Sequence, residues 1–292
     1  MSGAILVGRQ SAKSVRSDIS AGSFTSRVLL ALKSPTPYYG LAGIIAFLLF
    51  WYLTTEYFKL PRFEKLPGPV EVWTEFTSRD PTYGTSIYTP LYYTHIAWSS
   101  IRVLIAFGLA TVLGVPLGLF MGWKRVFKDY TFPIIEVLRP IPVLAWVPLA
   151  ILMMPGREAP IIFLAFLAAF FATTLNAMLG VESIDESYFR AARCLGSKPW
   201  QIFKRVVVPG ALPDVFTGLQ IGMGVAWFSL VAAEMVSGEH GLGFLIWDSY
   251  VLSQYPVIVI AMVTLGLVGY FYSAVIRAVG RMLMGWTART QA

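Results

Sequence analysis

The sequence predicts an all-α, polytopic membrane protein with about six transmembrane helices, and three observations carry that prediction. Hydrophobic residues make up 56% of the 292 and charged residues only 13%, with a mean hydropathy of +0.65. That balance fits a chain that crosses a bilayer repeatedly better than a soluble domain. The apolar residues gather into runs of about 20, the length a helix needs to cross a hydrocarbon core of about 30 Å. Lys and Arg are also distributed unevenly among the segments that join those runs.

In chain order, the N-terminus is polar, Ser-rich and basic to Pro37 (Arg9, Lys13, Arg16, Arg27, Lys33). It lacks the compact apolar region and small-residue cleavage site of a secretory signal and reads as a tail, 1–37. Six spans follow, at about Tyr38–Thr55, Ile96–Trp123, Thr131–Met154, Ala159–Val181, Ala211–Val236 and Val257–Met284. They define a transmembrane region, 38–284, and leave a short tail, 285–292. Sixteen Lys and Arg fall on the side of the termini, five on the opposite side and two, Arg102 and Arg139, within spans. The positive-inside rule then places both termini in the cytoplasm.

Between the first two spans, segment 56–95 is long and rich in Pro, Tyr and Thr. Its Pro67-Gly-Pro69 turn precedes Val70–Phe76, an amphipathic stretch whose Trp73 suits the membrane interface. Gly241–Tyr255 is too polar and too short to cross and reads as a short outer or re-entrant helix, with Trp247 and Tyr250 near the interface. Gly108, Gly114, Gly118 and Gly122, and likewise Gly218, Gly222 and Gly224, form small-residue strips that allow helices to approach closely. Cys194 is the only cysteine, which excludes an intrachain disulfide.

The segment between the fourth and fifth spans, about 182–210, has more helical design than a connector needs. Asp185–Leu195 consists of good helix formers. Gly196 is placed to end that helix in the left-handed conformation. Ser197 can start a second helix with Pro199 in its first turn, and Pro209 is expected to stop it. Tyr188, Ala191, Ala192 and Leu195 recur at helical spacing as an apolar, small-residue face, ringed by Arg190, Arg193, Lys198, Lys204 and Arg205. A solvated, positive-inside connector is the plain alternative.

This segment resembles the EAA loop of ABC-transporter inner-membrane permeases. The family pattern is Glu-Ala-Ala, three residues, Gly, nine residues, an aliphatic, any residue, an aliphatic and Pro. Here it reads Arg190-Ala191-Ala192, Gly196, then Val206-Val-Val208-Pro209. Arg190 is the one departure, with Glu186 a turn earlier. Leu138-Arg-Pro-Ile-Pro-Val-Leu-Ala-Trp-Val-Pro-Leu149, Glu182–Pro213, Ala232-Ala-Glu-Met235 and Gly241-Leu-Gly243 resemble the importer branch for nitrate, bicarbonate, sulfonates and taurine.

The resemblance implies a type I ABC importer permease in a bacterial inner membrane. It makes Glu186, Tyr188, Arg190, Ala191, Ala192, Leu195, Gly196, Trp200 and Pro209 the residues of coupling helices that dock on an ATPase subunit. It further implies a second permease copy, by default in a homodimer, and a periplasmic or lipid-anchored solute-binding protein. Membrane lipid surrounds the whole, and no nucleic acid is expected. The chain has no G-x-x-x-x-G-K-[ST] loop. The expectation is therefore that it binds no cofactor itself, with ATP and Mg on the partner ATPase.

Charges at membrane depth are costly and face protein or water. Arg139 lies in a stretch broken by Pro133, Pro140, Pro142 and Pro148, where irregular backbone must be covered by protein or line a cavity. It either meets an anion, pairs with Glu136 or snorkels to the interface. Arg102 either meets an anion from outside or anchors at the interface. Glu234 either gates the path, pairs with an Arg or caps the backbone of the Ser237–Gly243 turn. Trp146 either lines the path or packs in the core, and Asn176 either hydrogen-bonds between helices or contacts the solute in the path.

Other functions have less support. An intramembrane enzyme would have only His95 and His240 to use, with neither an H-E-x-x-H pair nor Gly-x-Ser-x-Gly. An ion-gradient-driven secondary transporter or a channel for a small anion is the alternative, since broken spans and an Arg occur there too. Neither needs a cytoplasmic hairpin.

Overall fold

The computed structural model describes residues 36–59, 61–63 and 65–284. The two tails lie outside the described residues except for 36 and 37. The chain divides into two units, 1–69 and 70–292.

In the first unit, α1 (Thr36–Tyr52) runs on through a wide π-helical turn, Leu53–Tyr57. The segment Tyr38–Tyr57 is long and apolar enough to cross a membrane. Trp51 Nε1 donates to the carbonyl of Pro67 at 3.1 Å and folds the Pro-Gly-Pro turn back onto the helix.

The second unit contains α2 (Pro69–Thr77), α3 (Pro90–Trp123), α4 (Arg125–Leu138), α5 (Val147–Met153) and α6 (Glu158–Glu182). These are followed by α7 (Glu186–Cys194), α8 (Pro199–Ile202), α9 (Val208–Ser237), α10 (Leu242–Val251) and α11 (Tyr255–Leu283). The described residues have five helices long and apolar enough to span, or six if the bent pair α4 and α5 counts as one. The fold is all-α, as the sequence predicts.

α6 is the central helix, packed along both α3 and α9. Small residues make that packing possible. A Cβ on Gly118 would fall 2.1 Å from the Thr174 carbonyl oxygen, and one on Gly218 would fall 2.5 Å from Cβ of Asn176. Gly114, Gly122 and Gly222 lie against α6 in the same way, whereas Gly108 and Gly224 face open space and do not belong to the packing strips. The α6 residues that the packed glycines meet include Ala169, Thr173, Thr174 and Ala177, all fully buried. Without a hydrophobic driving force between helices in lipid, this close van der Waals fit is what holds them together. Tyr92 OH and Thr264 Oγ1, 2.8 Å apart, tie the start of α3 to α11.

Three expectations about the spans change. The third is not continuous: α4 and α5 meet at 88° around Arg139–Pro142, because Pro140 and Pro142 remove two N–H donors within three positions. The second begins six residues earlier, at Pro90, with proline in the first turn. The fifth begins at Pro199 and runs to Val236. Pro209 therefore does not stop a helix. The π-helical turn Phe203–Val207 widens the spiral just before it, with Val208 N donating to the Phe203 carbonyl, and Pro209 enters the first turn of α9.

Candidate functional site

The hairpin forms at the end of the bundle where α3 and α6 finish and α9 starts. Asp185 caps α7, its carboxylate accepting from Ser187 N at 2.7 Å. Hydrogen bonds from Ser187, the hydroxyl's first and then the backbone's, hold that carboxyl below the usual aspartate range. α7 ends in a Schellman motif: Ser197 N donates to Ala192 O at 3.0 Å and Gly196 N to Arg193 O at 2.9 Å. Gly196 has φ +73°, the left-handed conformation that a side chain disfavours. Lys198 N donates to Gln201 Oε1 at 2.8 Å, and Pro199 opens α8.

The turn orients the two arms differently. Tyr188, Ala191 and Leu195 are exposed on α7, Tyr188 at 64% and Leu195 at 85%, with Glu186, Arg190 and Arg193 also exposed. Ala192 is half-buried, and Phe189 packs inward against the main core. On α8, Trp200 is 52% exposed while Ile202 and Phe203 are buried. The side chains that face out are thus apolar and cationic together, and the cationic edge of the second arm has Lys204 over the Trp200 ring at 5.2 Å.

At the opposite end of the bundle lies a buried ionic cluster that the sequence only partly announced. Arg102 is 1% exposed and Glu234 is fully buried. Arg102 Nε and Nη2 donate to Glu158 at 2.6 and 2.7 Å, and Nη1 donates to Glu234 Oε1 at 2.8 Å and to the His240 carbonyl. Arg102 is therefore not an interfacial anchor; in this conformation its guanidinium is shared between two carboxylates. Trp98 covers it, with the ring centroid 5.3 Å from Cζ.

Glu234 makes both of its expected contacts. Besides Arg102, its Oε2 accepts from Gly243 N at 2.9 Å, and Ser99 Oγ donates to it at 2.9 Å. Ser99 Oγ in turn accepts from Leu242 N at 2.8 Å, and His95 Nδ1 accepts from Gly241 N at 3.0 Å. A Cβ on Gly241, whose φ is +123°, would sit 2.4 Å from the Glu234 carboxylate, which is why glycine stands there. Arg157 and Glu239 add an exposed pair between the two adjoining loops.

Ser99 and Glu158 were not singled out from sequence, and His95 only as a histidine that an enzyme could use. Glu158, first in an apolar run and opposite an intramembrane Arg, was the one legible signal, since such an Arg needs an acidic partner.

The remaining candidates scatter. Arg139 is half-exposed at the α4–α5 bend, with Nη2 only 3.5 Å from Glu136 Oε1. Trp146 packs against the main core, and its Nε1 is buried and donates to nothing among the described residues. Among the described residues Asn176 makes no bond between helices: its Nδ2 donates to Ala172 O of its own turn at 2.8 Å, and Gly218 of α9 packs against its Cβ.

Comparison with known proteins agrees with this architecture. The family described as binding-protein-dependent transport system inner membrane component matches residues 114–289. The taurine transport system permease protein TauC of Escherichia coli is 33% identical over 251 residues, 85% of this chain and 90% of that protein. The bicarbonate transport system permease protein CmpB of Synechococcus elongatus is 33% identical over 234 residues, 78% and 83% of the two chains. Among solved structures, the inward-facing MetNI methionine ABC transporter aligns with a TM-score of 0.53 at 19% identity, over 65% of this chain and 96% of that one. A bacterial ABC transporter that imports the acidic polysaccharide alginate aligns at 0.52 and 13%, over 87% and 99%.

Proposed function

The chain belongs to the family of binding-protein-dependent transport system inner membrane components, the permeases of ABC importers, and from that premise we propose that it forms half of an ATP-driven import path for a small anion. The observation that carries the reading is the hairpin. At the end of the bundle where α3 and α6 finish, Tyr188, Ala191, Leu195 and Trp200 present apolar surface within a cationic ring, held in shape by a capped helix and a Schellman turn. Such a surface, on a chain without a phosphate loop, fits docking to a separate ATPase subunit that binds ATP and Mg.

In this reading ATP binding by the partner moves the hairpin as a unit. The close-packed α3, α6 and α9 follow as rigid bodies, switching access from one side to the other. A second copy completes the path, and a solute-binding protein delivers the cargo. Both termini and the hairpin lie in the cytoplasm. Relatives are named for taurine, whose sulfonate is balanced by an ammonium, and for bicarbonate, which supports a small solute with an anionic group here. Arg139, exposed on broken backbone and loosely paired, is better placed to meet one than Arg102. Arg190 in the position of the family's Glu is accommodated because that side chain points to solvent.

The test is ATP-dependent uptake by the complete transporter in vesicles. Gly196→Pro removes an N–H that closes the Schellman turn and forbids its positive φ, so uptake is expected to be abolished while the protein stays inserted. Unchanged uptake by that variant contradicts the docking role.

A further inference from the structure

The two arms of the hairpin are attached to the bundle by different means. Trp200, exposed on α8, stacks on buried Phe203 with ring centroids 5.2 Å apart and planes 14° apart. Phe203 stacks in turn on Phe120 of α3 at 5.1 Å and 19°, and leans on Trp123 at 4.8 Å and 40°. Phe120 continues to Phe127 of α4 at 6.4 Å, edge to face. Lys124 lies over the Trp123 ring at 4.4 Å, at the outer margin of the group. Aromatic rings are stiff, with two side-chain torsions each, and pairs in these arrangements add attraction beyond their buried area.

α7 has no comparable fastening. Phe189 is its inward contact with the main core, and a cleft of about 350 Å³ opens beside it, lined by Trp123, Lys124, Arg193 and Pro199 among others. A second cleft of about 480 Å³ lies between the start of α7 and the π-helical turn, beside Tyr188 and Arg205. Both clefts border the second arm or the turn that follows it as well, but that arm is joined to α9 by continuous helix and to α3 by stacked rings.

We propose that Phe203, with Trp200, Phe120 and Trp123, is a mechanical link that fastens the second arm to the end of α3, so that a displacement at the docking surface enters α3 and α9 together. Phe203 is the positioning residue of that link. It is 7% exposed and touches rings on either side, so it acts through its neighbours and not on a partner directly. Without it, a docked partner can still hold Tyr188, Ala191 and Leu195, but α8 moves without carrying α3. The signature is a loss of coupling with docking retained.

This inference rests on the docking role proposed above, and the experiment separates the two. The complete transporter, permease with its ATPase and binding protein, is reconstituted in vesicles, and ATP hydrolysis and solute uptake are measured on the same preparation. Phe203→Leu keeps the core filled but removes the stack, and Trp123→Leu breaks the link from the α3 side. Both are expected to retain ATPase co-purification and at least half of basal hydrolysis, while the solute imported per ATP falls about tenfold or more. Phe203→Tyr, which keeps a ring, is expected to restore most of that ratio. An unchanged ratio in both Leu variants overturns the link, as does a parallel fall of hydrolysis and uptake. Failure of the wild-type chain to retain an ATPase would refute the docking reading instead.

Discussion

Arg102 and Glu234 show how a single buried contact is specified by several surrounding residues. Each carboxylate oxygen of Glu234 has a donor, and one guanidinium serves two acids, so removing Glu234 leaves the buried Arg102 short of an acceptor. Breaking a buried pair from one side costs about 3–5 kcal/mol, whereas Glu158, 48% exposed at its end of the pair, can be replaced in part by water. Glu234→Ala is therefore expected to lower the Tm of the detergent-solubilised protein well beyond Glu158→Ala, with Glu234→Gln between them. Equal losses for the two alanine variants would contradict the buried cluster. The sequence made Arg102 and Glu234 visible because charges are conspicuous in apolar runs. It could not show that they meet, since 132 residues separate them and nothing local to either names the other. Asn176 illustrates the same limit from the opposite side: its depth was legible, but not that its amide turns to the Ala172 carbonyl of its own helix.

At the scale of elements, the hairpin was the most legible part because its signals are local. Gly196 and Pro199 act within a few residues of where they stand, as left-handed terminator and first-turn proline, whereas Asp185, counted with the helix in the sequence, stands just outside it as the cap. Asp185 has a lowered pKa in the folded hairpin, so its ionised form supports α7. That support is complete above the ordinary aspartate range and is lost as pH falls through the lowered value. The protection factor of Ser187 N, its exchange rate set against the intrinsic rate at each pH, should fall on acidification through that window. Asp185→Ala should lack that protection at neutral pH too, and Asp185→Asn should keep it across the range, since an amide oxygen still accepts. Equal protection in the Ala variant would remove the cap from the account. The α4–α5 bend and the passage through Pro209 were less legible. Prolines announce a disturbance, but a break of 88° and a helix that widens and continues both begin with the same residue type.

For the whole molecule, composition and hydropathy were enough for the class, because the bilayer demands helices of a fixed length whatever their partners. Which helix is central was not readable from hydropathy. α6 holds that place because its Ala and Thr side chains meet the glycines of α3 and α9, a complementarity spread over three distant segments. That packing gives the bundle stiff members, and the hairpin at one end and the ionic cluster at the other bind their ends. An external motor acting on such a body needs one grip, and the Tyr188–Trp200 surface is the one proposed for it. The most direct measurement is co-purification of the affinity-tagged chain from its native membrane in mild detergent. The account predicts that an ATPase subunit comes with the wild-type chain and is lost when Ala191→Asp and Leu195→Asp place carboxylates on the docking face. Solute transport driven by an ion gradient, with no ATPase bound, would contradict it.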